Sequence, residues 1–255
     1  MNKLKMLRPT IAMAALFISL QGFAAGGGAE LESADIDPGN ISSLQRGARN
    51  FMNYCSGCHS AQYVRFNTIG KYLELSEEQL VDNLMFNAEK TFETIQASMP
   101  AEDAARWYGT APPDMSLMAR AKGADYIYNF LKGFHLDADS PTGVDNTVLA
   151  GTSMPHVLWE LQGYQKAIFS DHVETHEDGS TTTTHEFVGF ELATTGSLDA
   201  EEFDDFVRDT VNFLAYISEP IRSERRKLGV WVLMYLIVFW VIAVMLKKQI
   251  WKDVK

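Results

Sequence analysis

Apolar residues recur at helical spacing in four stretches of this 255-residue chain. Between 41 and 54, Ile41, Leu44, Ala48, Phe51 and Met52 step by three and four, which predicts a helix. Ser76 with Gln79 three residues later is a capping-box pattern, opening a helix that runs to about Asn87. Tyr126, Ile127, Phe130 and Leu131 form the stripe of a helix over 125–132. The longest stripe is Phe203, Phe206, Val207, Val211, Leu214 and Ile217; Asp199 opens that helix, acidic residues crowd its start, and Pro220 ends it. Residues 89–110 have weak periodicity and are assigned no element. The stretch 168–192 reads as an extended hairpin, with Asp178-Gly179 as the turn and a β-prone run over 181–188. The Pro112-Pro113 turn is stiff, and Asp114 or Ser116 is placed to cap the next segment. The pattern predicts a mainly α fold with a small β-hairpin excursion.

Two further apolar runs lie near the ends. Lys3, Lys5 and Arg8 precede a short apolar core over 11–20 and the small residues Ala24 and Ala25, as in a secretory leader over 1–25. Residues 228–246 carry no charge; at about 1.5 Å per residue they reach roughly 28 Å, enough to cross a bilayer. Basic residues flank that run on both sides, so loop charge gives no orientation. The leader does: residues 26–221 are exported, 222–255 anchor the chain, and a short tail stays inside. The expected location is a bacterial inner membrane, crossed once, with the domain in the periplasm and the C-terminus in the cytoplasm.

The net charge of −11 hides an asymmetry, because the leader carries +3 and the anchor segment +6, which leaves −20 on 26–221. Such a domain repels nucleic acid and attracts a basic soluble partner.

Cys55-Ser56-Gly57-Cys58-His59 has the spacing for covalent c-type haem attachment. Each thiol adds across a haem vinyl group, and the next histidine lies under the iron. A redox C-x-x-C needs no such histidine, and a zinc site needs more Cys or His, whereas these are the only cysteines in the chain. The sixth ligand decides the chemistry, since methionine there raises the potential and suits electron transfer. Met52, Met85, Met115 and Met118 read as core, which leaves Met99 and Met154, each followed by proline. His156 is the rival, because an i,i+2 pair cannot serve one face together. His135 is a further candidate ligand, whereas His172, His176 and His185 lie in the polar hairpin region and read more simply as surface residues.

Taken together, the haem motif running into Tyr63-Val64-Arg65-Phe66-Asn67, Pro112-Pro113-Asp114-Met115-Ser116 with Arg120-Ala121, Met154-Pro155, Glu219-Pro220 and one C-terminal anchor resemble the cytochrome c1 family, in a proteobacterial form. Cytochrome c1 is the haem subunit of the bc1 complex, ubiquinol–cytochrome c reductase. The resemblance implies a cytochrome c-like haem domain with one covalent haem c. Cys55 and Cys58 would carry the thioethers, with His59 as the proximal and Met154 as the distal ligand. Pro112 and Pro113 would line the haem crevice, and Arg120 would lie near a propionate. It further implies an electron carrier without acid–base catalysis of its own, receiving electrons from the Rieske iron–sulfur protein, delivering them to a cytochrome c, and anchored beside cytochrome b. Residues 157–198 depart from the mitochondrial pattern. The competing readings are a membrane-anchored haem protein with an open sixth position, acting as peroxidase or gas sensor, and an anchored cytochrome serving another oxidase or reductase.

Overall fold

The stripes at the two ends of the haem region fold into helices that pack on each other. The computed structural model describes residues 31–175 and 181–253. The predicted leader over 1–25 and the Asp178-Gly179 turn lie outside the described residues.

Helix α1 spans Ile41–Tyr54, and the Asn40 side chain caps it by accepting from the Ser43 N–H at 3.1 Å. Strand β1 (Ala61–Arg65) and the short helix α2 (Phe66–Tyr72) come after it. Helix α3 (Glu77–Leu84) opens on the predicted capping box, with both reciprocal bonds between Ser76 and Gln79 present. It stops before Asn87, whose side chain instead donates to the Gln96 carbonyl. Strand β2 (Thr94–Ile95) pairs antiparallel with β1. Helix α4 (Ala101–Tyr108) occupies the stretch to which the sequence assigned no element. It buries only Ala104, so it has no stripe to read, and Gly109 ends it at φ +77°. Helices α5 (Met118–Lys122) and α6 (Ala124–Lys132) come next. Strands β3 (Phe134–Leu136) and β4 (Val144–Asn146) form a small antiparallel pair. One turn of helix, α7 (Trp159–Gln162), leads into the hairpin of β5 (Gly163–Thr175) and β6 (Thr181–Thr195). The hairpin is longer than 168–192, because its base pairs Gly163 with Thr195. Helix α8 spans Ala200–Ser218 and α9 spans Arg222–Ile250.

Asp199 caps α8 in a second capping box with Glu202. The core forms where α1 crosses α8: Leu44, Ala48 and Phe51 meet Val207, Val211 and Leu214, all nearly or fully buried. The approach is close because Gly47 lies at the crossing. A Cβ there would fall 2.0 Å from the Asp209 carbonyl oxygen and 2.7 Å from Phe213 Cβ. Polar groups lock the register. Buried Asp209 accepts from Ser43 Oγ at 2.6 Å and from Arg46 Nη2 at 3.0 Å, and the Asn50 amide donates to the Phe206 carbonyl and to Thr210 Oγ1, both at 3.2 Å.

Helix α9 includes a 27-residue segment, Glu224–Ile250, long and apolar enough to cross a membrane; an 18-residue window within it has mean hydropathy 2.6, and none of that window is buried. Nearly all of its large apolar residues are exposed, as lipid contact would require. An ion pair between Arg225 and Glu219 ties its start to the end of α8.

Replacing Gly47 with alanine should destabilise the fold by about 1–3 kcal/mol, despite alanine's better helix propensity. Chemical denaturation of the detergent-solubilised chain, monitored by circular dichroism, checks this.

Candidate haem site

Helix α1 ends at the haem motif, and the motif closes on itself. The Cys55 N–H donates to the Phe51 carbonyl at 2.9 Å and Ser56 Oγ to the Met52 carbonyl at 2.8 Å. The Cys58 and His59 N–H groups both return to the Cys55 carbonyl, at 3.0 and 2.8 Å. This turn brings Cys55, Cys58 and His59 to the wall of one cavity. His59 Nδ1 is 2.8 Å from the Pro113 carbonyl oxygen, so Nδ1 carries the proton and donates it. Nε2 is then left as the ring's free lone pair, the arrangement that second-sphere carbonyls impose on metal-binding imidazoles. Burial lowers the imidazole below its usual range, while the Pro113 carbonyl and Asp114 act the other way.

The 113–116 turn is held against the chain just after the motif. The Met115 N–H donates to the Ser60 carbonyl at 2.7 Å. Asp114 accepts from the Gln62 N–H at 2.8 Å with one oxygen and from the Ser116 N–H at 2.9 Å with the other, and Ser116 Oγ accepts from the Tyr63 N–H at 3.1 Å. The expectation that Asp114 or Ser116 caps the next helix is therefore corrected. Their acceptors are spent within the loop and on the segment after the haem motif, and α5 starts at Met118, with Leu117 at its N-cap position and no side-chain cap.

The cavity is about 500 Å³, within the usual range for cofactor pockets. Phe51 of α1, Tyr126, Ile127 and Phe130 of α6 and Leu214 of α8 make an apolar wall. Pro112 and Pro113 line another side, and Met154, Pro155 and Val157 enter from the strap before α7. A flat apolar macrocycle with two vinyl groups and a central iron suits this lining, which offers two thiols, one oriented imidazole and thioethers. Met154 is half-buried here, whereas Met99 does not line the cavity and its N–H bonds the Gly57 carbonyl. Met115 and Met118, read from sequence as core, also line it. Local periodicity cannot tell a core wall from a cavity wall. Met115 sits beside Pro113 and bonds Ser60, so its backbone belongs to the His59 side.

His156 is turned away. Its ring stacks on Phe134 at 5.1 Å and 13°, meets Tyr164 edge-on at 6.1 Å, and is not part of the cavity wall. Burial lowers its imidazole to about 4, against the opposing Gly163 carbonyl. His135 is near Phe190 and does not line the cavity either. The side chains of His172, His176 and His185 lie outside the described residues. Burial, reinforced by Cys58, pushes the Cys55 thiol up to about 12, and burial also raises Cys58. Reactive redox cysteines are shifted the other way. Among the described residues no three His, Cys, Asp or Glu side chains gather as a zinc site needs.

Arg120 is exposed on α5 and does not line the cavity; Lys122, on the same turn, does. Its Nζ sits over the Tyr126 ring at 5.5 Å. Two basic residues on one short turn carry no sequence signal that ranks them.

A family model described as the Cytochrome C1 family matches residues 37–188 and 197–254. The chain is 44% identical over 231 residues to cytochrome c1 of Allochromatium vinosum, covering 91% of this chain and 92% of that one. It is 34% identical over 244 residues to a Nitrosomonas europaea protein named ammonia monooxygenase gamma subunit, covering 96% and 97%. It is 26% identical over 232 residues to the mitochondrial cytochrome c1 haem protein of Saccharomyces cerevisiae, covering 84% and 67%. With the motif, the cavity and the C-terminal apolar helix in this order, the chain belongs to the cytochrome c1 family, the electron-transfer haem subunits of the bc1 complex, which carry one covalent haem c.

Proposed function

We propose that this chain takes electrons from the Rieske iron–sulfur protein and passes them to a cytochrome c, through a haem held by Cys55, Cys58, His59 and Met154. The observation that carries the ligand set is the His59–Pro113 hydrogen bond, with Met154 on the wall of the same apolar cavity. Bound haem supplies a one-electron iron couple, which the protein lacks. The chain's residues do the rest. Cys55 and Cys58 fasten the macrocycle, the Pro113 carbonyl orients the imidazole, and Phe51, Ile127, Phe130 and Leu214 keep water from the iron. Met154 would offer the iron a thioether, which favours the ferrous state and so would raise the potential. Pro112 and Pro113 shape the crevice. Lys122 at its wall, with Arg120 on the same helix, supplies positive charge for the propionates.

The domain would face the periplasm after removal of the leader over 1–25, and α9 would stand beside cytochrome b with its C-terminus in the cytoplasm. Quinol oxidation belongs to the other subunits in this reading, and no side chain here is assigned a proton-transfer role. The open-site reading, a peroxidase or gas sensor, requires that Met154 leave the iron. The spread of acidic residues that gives 26–221 its charge of −20 favours a basic acceptor.

The oxidised, detergent-solubilised chain should show the weak far-red band of sulfur-to-iron charge transfer, and the reduced chain should resist carbon monoxide. Met154→Leu should lose the band and bind carbon monoxide; a band that survives this substitution would assign the ligand elsewhere. Electron transfer to a basic cytochrome c should slow severalfold or more between about 10 mM and 150 mM salt, as the screening length contracts from roughly 30 Å to 8 Å. Stopped-flow rates at graded ionic strength check this.

A further inference from the structure

The strap that carries Met154 has little backbone structure of its own. No regular element covers 152–156. Pro155 has no N–H, and the Met154 N–H reaches only Thr152 Oγ1, at 3.4 Å. Upstream the strap is held where the Gly151 N–H donates to Asp145 Oδ1 at 2.7 Å. Downstream the first fixed residue is His156, which is 6% exposed.

The His156 carbonyl accepts from the Trp159 N–H at 3.4 Å, and three contacts hold its ring. Phe134 stacks on its ring, Tyr164 meets it edge-on, and Nε2 lies 3.3 Å from the Gly163 carbonyl oxygen. A carbonyl only accepts, so Nε2 carries the proton and donates. The acceptor is itself immobile. Gly163 has φ +87°, and a Cβ there would fall 2.0 Å from the Thr194 carbonyl oxygen, so only glycine fits. Two residues on, the Gln165 amide donates to the Lys132 and Phe134 carbonyls, each at 2.8 Å, fastening the hairpin base to β3.

Packing alone does not explain a histidine here. Its Nδ1 is buried with no hydrogen-bond partner. Phenylalanine would fill the same stacked slot without that desolvation cost. What histidine adds is the Nε2–H.

We propose that His156 is a positioning residue for the sixth haem ligand: its hydrogen bond to Gly163 fastens the Met154 strap to the base of the β5–β6 hairpin. The proposal rests on the Met154 ligation proposed above. It gives the long hairpin a task, since its base is the fixed point from which the strap reaches over the cavity. The 3.3 Å bond is long, so its weight is modest. Loss of one such bond shifts the strap between closed and open by up to about tenfold.

The test uses the full detergent-solubilised chain with covalent haem, as wild type, His156→Phe, His156→Gln and Met154→Leu. Phenylalanine keeps the ring and removes the donor; glutamine keeps a donor. Three readouts report on the strap: the pH at which the oxidised far-red band is lost, the carbon monoxide binding rate after reduction, and the reduction potential. The phenylalanine variant should lose the band at a pH lower by up to about one unit, bind carbon monoxide up to about tenfold faster, and shift to lower potential. Glutamine should recover much of each. Phenylalanine matching wild type in all three, or glutamine matching phenylalanine, overturns the proposal. A band that persists in Met154→Leu overturns the ligand reading itself; a band lost there while His156→Phe behaves as wild type overturns only the role of His156. Should His156→Phe not fold, Gln165→Leu carries the test. A shift in the same direction supports the buttress, and an unchanged midpoint overturns it.

Discussion

The direction in which one imidazole faces controls the rest of this molecule. The His59 proton is committed to the Pro113 carbonyl, which leaves the other ring nitrogen free for the iron in the proposed ligand set. That carbonyl is fixed in turn, because Asp114 and Ser116 bond the chain just after the haem motif. The motif hangs from the end of α1, and α1 is seated on α8 through the close approach at Gly47. From helix crossing to ring orientation the path is short, continuous and hydrogen-bonded, and errors along it would be passed to the iron.

Much of this was legible in the sequence, for a physical reason. Helices α1, α6 and α8 bury broad apolar stripes, and burial at helical spacing is what periodicity reports. Helix α4 buries Ala104 alone, so it left no stripe to find. The base of the hairpin was missed because it is held by tertiary contacts, such as that of Gln165 with β3, which leave no local periodicity. That Cys55, Cys58 and His59 share one wall was legible, because their spacing along the chain is itself the constraint. The other walls were not: Met115, Met118 and Lys122 reach the cavity through the tertiary arrangement of the 113–122 segment. Asp114 and Ser116 looked like helix caps by position, yet one Asp114 oxygen and Ser116 Oγ serve a segment more than fifty residues away.

The two sides of the site are supported differently. The His59 side is a dense loop whose N–H and C=O groups satisfy one another. The Met154 side is a sparsely bonded strap held at its ends, by Asp145 upstream and by the His156–Gly163 contact downstream. Such asymmetry suits an electron carrier, in which the covalent side should never let go and the other ligand sets the potential. It also makes the base of the β5–β6 hairpin part of the strap's support in this account.

X-ray absorption at the iron edge of the oxidised, purified chain tests the central claim most directly, because it reads the atoms bound to iron. The account predicts one sulfur neighbour with nitrogen in all remaining positions. An all-nitrogen sphere, or an iron missing its sixth neighbour, would contradict it.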